Sequence, residues 1–188
     1  MKEVLTIGFV ATAISPYFSE EQQVRIKSEN HLKKIIAEYD AKLICFHKTI
    51  FSKEDSVEAE KFFKNKIDFL ILQTSSCSSG EQLYPLCNIT NKMGLWAVPD
   101  LENEGDVKLH SLVSVSHYLG IIKKILHEKK IKTKWFYNYG DTDEFKNKFL
   151  ITLRSLLADK KIKQSKIVLD VGISPGFDNM IVDNKKIK

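Results

Sequence analysis

Short apolar runs alternate along the chain with longer segments whose apolar residues recur at helical spacing. The runs are Val4–Ala11, Leu43–His47, Ile67–Gln73, Gly94–Val98 and Lys134–Tyr139. They are nearly continuous rather than alternating, which suits strands covered on both faces in a parallel sheet. Between the first two, Ser19 is placed to cap a helix with Gln22 as its capping-box partner, and Val24, Leu32, Ile35, Ile36 and Tyr39 form its inward stripe. Ser52–Lys66 is a second helix that turns Val57, Phe62 and Phe63 inward. Glu81–Met93 reads as a third, with Pro85 confined to its first turn or kinking it. Ser111–His127 places Leu112, Val115, Leu119, Ile122 and Leu126 on one side and lysines at its far end, where the helix dipole favours them. Asp141 to Glu144 reads as a capping box ahead of the stripe Phe145, Phe149, Leu153, Leu156 and Leu157. A sixth run, Ile167–Val171, leads through the turn 172–178 into a helix start at Asn179.

Strand and helix thus alternate five times. Right-handed crossovers then predict an α/β fold: a doubly wound, flavodoxin-like parallel sheet of five strands in the order 2-1-3-4-5, with helices on both faces and a C-terminal strand-turn-helix tail. Residues 1–165 are expected to form this domain, and residues 166–188 the start of a truncated second one. Ligands of open α/β sheets bind beyond the carboxyl ends of the strands at the topological switch point. Here that point lies between the first and third strands, and it joins the loop Thr12–Ser19 to the Ser-rich loop Thr74–Glu81.

Composition narrows the class. Of 188 residues, 43% are hydrophobic and 28% charged, which fits a globular domain and not a disordered chain. The net charge of +5 comes from lysines scattered over the sequence, the pattern of a solvated surface and not of a nucleic-acid stripe. No apolar run is long enough to span a membrane, and the first residues carry no cleavage pattern. The three cysteines, Cys45, Cys77 and Cys87, have no paired spacing, as expected of reduced thiols in a cytoplasmic protein.

The chemistry common on such sheets is mostly excluded. A flavin-phosphate loop after the first strand needs small residues, whereas Pro16, Tyr17 and Phe18 stand there. The acid cluster of a phosphoryl-accepting domain, the dinucleotide fingerprint, the P-loop and the G-x-S-x-G elbow are all missing. Cys45 and His47 would face one side of a strand, but no second pair completes a zinc site. They read as a buried thiol and a loop-edge imidazole, and His31 and His117 as helix-surface residues. Trp96 is either a core residue or, by alternation, a stacking face for a sugar. Tyr17 and Phe18 form either a staple over the first helix or an aromatic lip.

Four motifs occur in order: Gln73-Thr-Ser-Ser-Cys-Ser-Ser-Gly-Glu81, Leu95-Trp-Ala-Val-Pro-Asp100, Ser111-Leu-Val-Ser-Val-Ser116 and Gly172-Ile-Ser-Pro-Gly-Phe-Asp-Asn-Met180. Together they resemble the amino-terminal region of the L-fucose/L-arabinose isomerase-like family, and the resemblance covers nearly the whole chain. It implies aldose–ketose isomerisation in carbohydrate metabolism. A divalent metal, usually manganese, polarises the sugar oxygens while carboxylates move a proton. That family's metal ligands lie in its later domains, so no metal ligand and no catalytic residue is assigned here. What the resemblance implies instead is a domain that covers the active site of a neighbouring subunit. The candidate substrate-binding residues are Ser15, Tyr17, Phe18, Gln73, Ser75, Ser79, Glu81 and Trp96. The expected partners are a small sugar and either further copies of the chain or a complementing C-terminal polypeptide, with neither nucleic acid nor membrane. The chain is expected to be a fragment, a split subunit or a stand-alone domain reused for binding or oligomerisation.

Overall fold

A computed structural model describes residues 4–14, 18–100, 109–166 and 176, with side chains from residue 23 onward in the first helix. Five parallel strands form one sheet: β1 (Leu5–Thr12), β2 (Ala41–Cys45), β3 (Phe69–Thr74), β4 (Lys92–Ala97) and β5 (Lys132–Tyr137), in the order β2-β1-β3-β4-β5. The predicted α/β architecture and strand order are those observed. The helices are α1 (Phe18–Ala37), α2 (Lys53–Phe63), α3 (Gly80–Leu86), α4 (Ser111–Lys124) and α5 (Asp143–Gln164). Among the described residues, no helix is long and apolar enough to cross a membrane.

The period of two along each strand divides the core into layers. Leu5, Ile7, Phe9 and Ala11 of β1 pack with Ile71, Trp96 and Phe136 beneath α1 and α5. Val10, Leu70, Leu72 and Leu95 point the other way, beneath α2, α3 and α4. The three central strands are therefore apolar on both faces, which is why their sequences run without alternation.

The structure corrects several boundaries. α1 begins at Phe18, so Ser19 lies inside its first turn and not at its cap. β2 starts at Ala41 because its register sets Leu5 opposite Ala41, and it ends before His47. α3 stops at Leu86, not Met93: Pro85 lacks the N–H that would continue the ladder, and β4 already begins at Lys92 to pair with Lys132. α4 ends at Lys124, ahead of a short 3-10 turn at His127–Lys129. The cap of α5 is Thr142, whose hydroxyl accepts from Phe145 N–H; Glu144 is drawn instead to the Asn138 amide at 2.6 Å. The inward face of α4 is also rotated from the predicted stripe, because Ser111, Ser114 and Tyr118 are buried with Val115 while Leu112 is 47% exposed. The predicted strand Ile167–Val171 and the tail after it lie outside the described residues, save Gly176, which sits in a turn at φ 91°.

Candidate functional site

The switch point is built from neutral polar side chains. β1 and β3 end side by side, with Thr12 opposite Thr74. Beyond them the chain does not emerge into solvent: Thr74, Ser75 and Ser76 are wholly inaccessible, and Ser78 nearly so. Burying so many hydroxyls is costly unless each finds a partner. Each does. Thr74 Oγ1 donates to the Ser111 carbonyl at 2.9 Å, and Ser111 Oγ lies within hydrogen-bond distance of the Thr74 carbonyl and accepts from Val98 N–H at 2.9 Å. Ser75 Oγ donates to Gln73 Oε1 at 3.0 Å, and Gln73 Nε2 donates to Ser28 Oγ of α1 at 2.6 Å. Ser78 N–H donates to Ser114 Oγ at 2.9 Å, and Ser78 Oγ reaches Thr12 Oγ1 at 2.9 Å.

Gln82 is the hub of this layer. Its Nε2 donates to the carbonyls of Ala13 at 2.8 Å and Ile50 at 3.2 Å, while its Oε1 accepts from Ser79 N–H at 3.0 Å. One amide thus ties the loops after β1, β2 and β3 together. Tyr118 closes the layer from α4, its hydroxyl lying 3.4 Å from both Thr12 Oγ1 and Gln82 Oε1. Burial pushes the Tyr118 phenol well above its ordinary value, despite hydrogen bonds that act the other way, so it serves as a neutral donor.

The first turn of α3 is held against α4 by a close approach. A Cβ on Gly80 would stand 2.8 Å from Ile121 Cδ1 and 3.3 Å from His117 Nε2, so only glycine fits without displacing them. The buried layer therefore sets the direction of one short exposed segment, and Ser79 and Glu81 are its exposed side chains. Leu112 and Val113, in the first turn of α4, are 47% and 62% exposed on the same carboxyl edge.

The candidate residues separate accordingly. Gln73 and Ser75 have no accessible surface and are engaged internally. Of the two readings open for Trp96, core residue or stacking face, the structure shows the core: it has no accessible surface, its ring stacks on Phe145 at 4.3 Å, and its Nε1 donates to the Asn138 carbonyl at 2.8 Å. The reason is parity: Trp96 belongs to the face of β4 that α5 covers. Ser79 and Glu81 reach solvent. Ser15 and Tyr17 lie outside the described residues, as does the side chain of Phe18. Sequence reasoning missed Gln82, Tyr118, Ser111 and Ser114. Gln82 had a signal, since Ser79-Gly-Glu-Gln82 carries the S-x-x-Q spacing of a helix start.

His47 is exposed beside Glu58 at 3.6 Å, not part of a ligand pair with Cys45. Cys45 and Cys87 are held protonated, burial pushing each thiol up to about 12. Among the described residues no three His, Cys, Asp or Glu side chains converge, so they do not make a site that fits a divalent metal. What the edge can do chemically is offer hydroxyl and carboxylate hydrogen bonds from a preorganised support. No protein-family model matches the chain, and no curated protein is significantly similar to it.

Proposed function

We propose that this chain is the amino-terminal, non-catalytic domain of a sugar (aldose–ketose) isomerase-like protein, and that its carboxyl edge covers a sugar held mainly by a neighbouring subunit. The observation that carries the reading is the uncharged, fully partnered layer under the loop 73–82. It fixes Ser79 and Glu81 at the switch point and leaves them exposed. A polyhydroxylated ligand needs paired donors and acceptors of this kind. The Glu81 carboxylate accepts from sugar hydroxyls, and the Ser79 hydroxyl both donates and accepts. The five-stranded order and the four ordered motifs agree with this role. The apolar pair Leu112 and Val113 on the same edge favours contact with another chain rather than with water alone.

Calorimetric titration with L-fucose, L-arabinose and related aldoses tests the reading. Binding by the chain alone is expected to be weak, with a Kd on the order of millimolar, because only part of the site is present. Glu81→Ala is expected to weaken it about tenfold by removing a charge-assisted hydrogen bond. No heat with any sugar in the panel would sink the sugar reading. Turnover by the purified chain supplied with manganese would sink the non-catalytic one.

A further inference from the structure

β5 is the outer strand on one side of the sheet, and its pairing is one-sided. In parallel pairing, successive residues send their N–H and C=O groups alternately to opposite neighbours. Lys132 N–H donates to the Asn91 carbonyl at 2.8 Å, so Lys132, Lys134 and Phe136, in one phase, face β4. Thr133, Trp135 and Tyr137, in the other phase, aim their backbone groups outward, where the described residues hold no further strand. Such a row is a template on which an extended chain can pair.

The side chains along this edge are basic at one parity and aromatic at the other. Lys132 and Lys134 are exposed and share the parity of Phe136, which packs in the layer beneath α5. Trp135 takes the opposite parity, is 47% exposed and carries Lys148 Nζ 3.7 Å from its ring centre. The stretch from Lys123 to Lys134 holds six lysines against one acid, Glu128. Lysines elsewhere are neutralised: Lys33, Lys48, Lys92, Lys160 and Lys163 each pair with a carboxylate. Among the described residues, Lys132 and Lys134 pair with none.

Charge decides the occupant. Two β5 edges laid together would set lysine against lysine, which disfavours a second copy. Nucleic acid would take the lysines but leave the outward N–H and C=O groups of the strand unpaired. An extended peptide with carboxylates at alternate positions satisfies both. Its backbone takes the open groups, its acids stand beside Lys132 and Lys134, and the apolar residues between them lie against Trp135.

We propose that the outer edge of β5 is a docking site for an extended acidic segment of a partner protein, which adds to the sheet beside Thr133, Trp135 and Tyr137. The inference does not depend on the proposed function, and its test reads no sugar. A fluorescent peptide of alternating glutamate and valine is titrated into the full chain by anisotropy, and amide hydrogen exchange is measured residue by residue. Binding is expected to weaken about tenfold or more in the double variant K132E/K134E, which should instead take up a peptide of alternating lysine and valine. With the acidic peptide bound, the Thr133, Trp135 and Tyr137 amides are expected to exchange about tenfold more slowly, while those of Phe69–Thr74 stay protected in both proteins and report an intact sheet. No binding of the acidic peptide would overturn the proposal, as would equal affinity in the variant. So would binding that leaves the three amides unslowed, since the lysines would then be only a charged surface. Amides at these positions that are already as protected in the free chain as those of β3 would show the edge to be taken, and overturn it too. Tighter binding of a short oligothymidylate, lost in the variant, would give the patch to nucleic acid and also overturn it.

Discussion

At the carboxyl end of β3, the chain is tied down by hydroxyls and two amides, none of them charged: Thr12, Gln73, Thr74, Ser75, Ser78, Gln82, Ser111, Ser114 and Tyr118. At the amino end, the ties are ionic. Asp68 accepts from Thr6 N–H and from Lys160, each at 2.8 Å, and Asp159 of α5 sits between Lys92 at 2.7 Å and Lys163 at 2.9 Å. The difference follows from water. The carboxyl-end groups are buried, where an unpaired charge would be far costlier than a satisfied hydroxyl. The amino-end groups are half-exposed, where charges stay solvated and gain little from pairing. One end should therefore respond steeply to deletion and not to salt or acid, and the other the reverse.

The largest effect is expected from Gln82→Leu. The apolar isostere leaves the buried Ala13 carbonyl and the part-buried Ser79 N–H without their partner, and the Ile50 carbonyl with one bond fewer. A loss of about 3 kcal/mol in urea unfolding follows, the same at low and at high salt. A loss under about 1 kcal/mol would mean that water can replace the amide, and the idea of a sealed layer would go.

Asp68→Asn should cost less, about 1 kcal/mol, because the new amide oxygen still accepts from Thr6 N–H while the ion pair with Lys160 is lost. Unlike the glutamine effect, this one should shrink as salt is raised, since half-exposed pairs are screened. A cost unchanged between low and high salt would show that the hydrogen bond, and not the charge, holds this end.

The same contrast explains what the sequence made legible. Strand order could be read because five apolar runs alternate with amphipathic segments, and the buried central strands carry no other pattern. The polar layer could not be read as a layer. Ser111, Ser114 and Tyr118 stand outside the apolar stripe expected of α4, yet they are buried. They turn inward because their partners, Thr74, Ser78 and Thr12, lie far away in sequence. Within the loop 73–82, composition does not say that Gln73 and Ser75 are buried and spent on the scaffold while Ser79 and Glu81 stay exposed. Trp96 shows a related limit. Its strand was evident, but which face α5 would cover was not.

The smallest expected effect separates the two ends most cleanly. Hydrogen bonds from Lys92, and then from Lys163, hold the Asp159 carboxyl down to about 2, against an ordinary value of 3.8. A carboxyl depressed in the folded state contributes stability above its unfolded value and loses that contribution as pH falls through the folded one. Asp159→Asn should therefore lower the urea midpoint slightly at pH 5, and the difference from wild type should close between pH 3.8 and about 2. The gap opened by Gln82→Leu should stay constant across the same range, because no group in that layer titrates there. Paired unfolding curves of wild type and the two variants at pH 5 and near pH 2 decide it. If the Asp159→Asn difference persists undiminished in acid, the contact holds by packing of the lysine stems and not by charge, and the amino end would then be held by the same uncharged kind of contact as the carboxyl end.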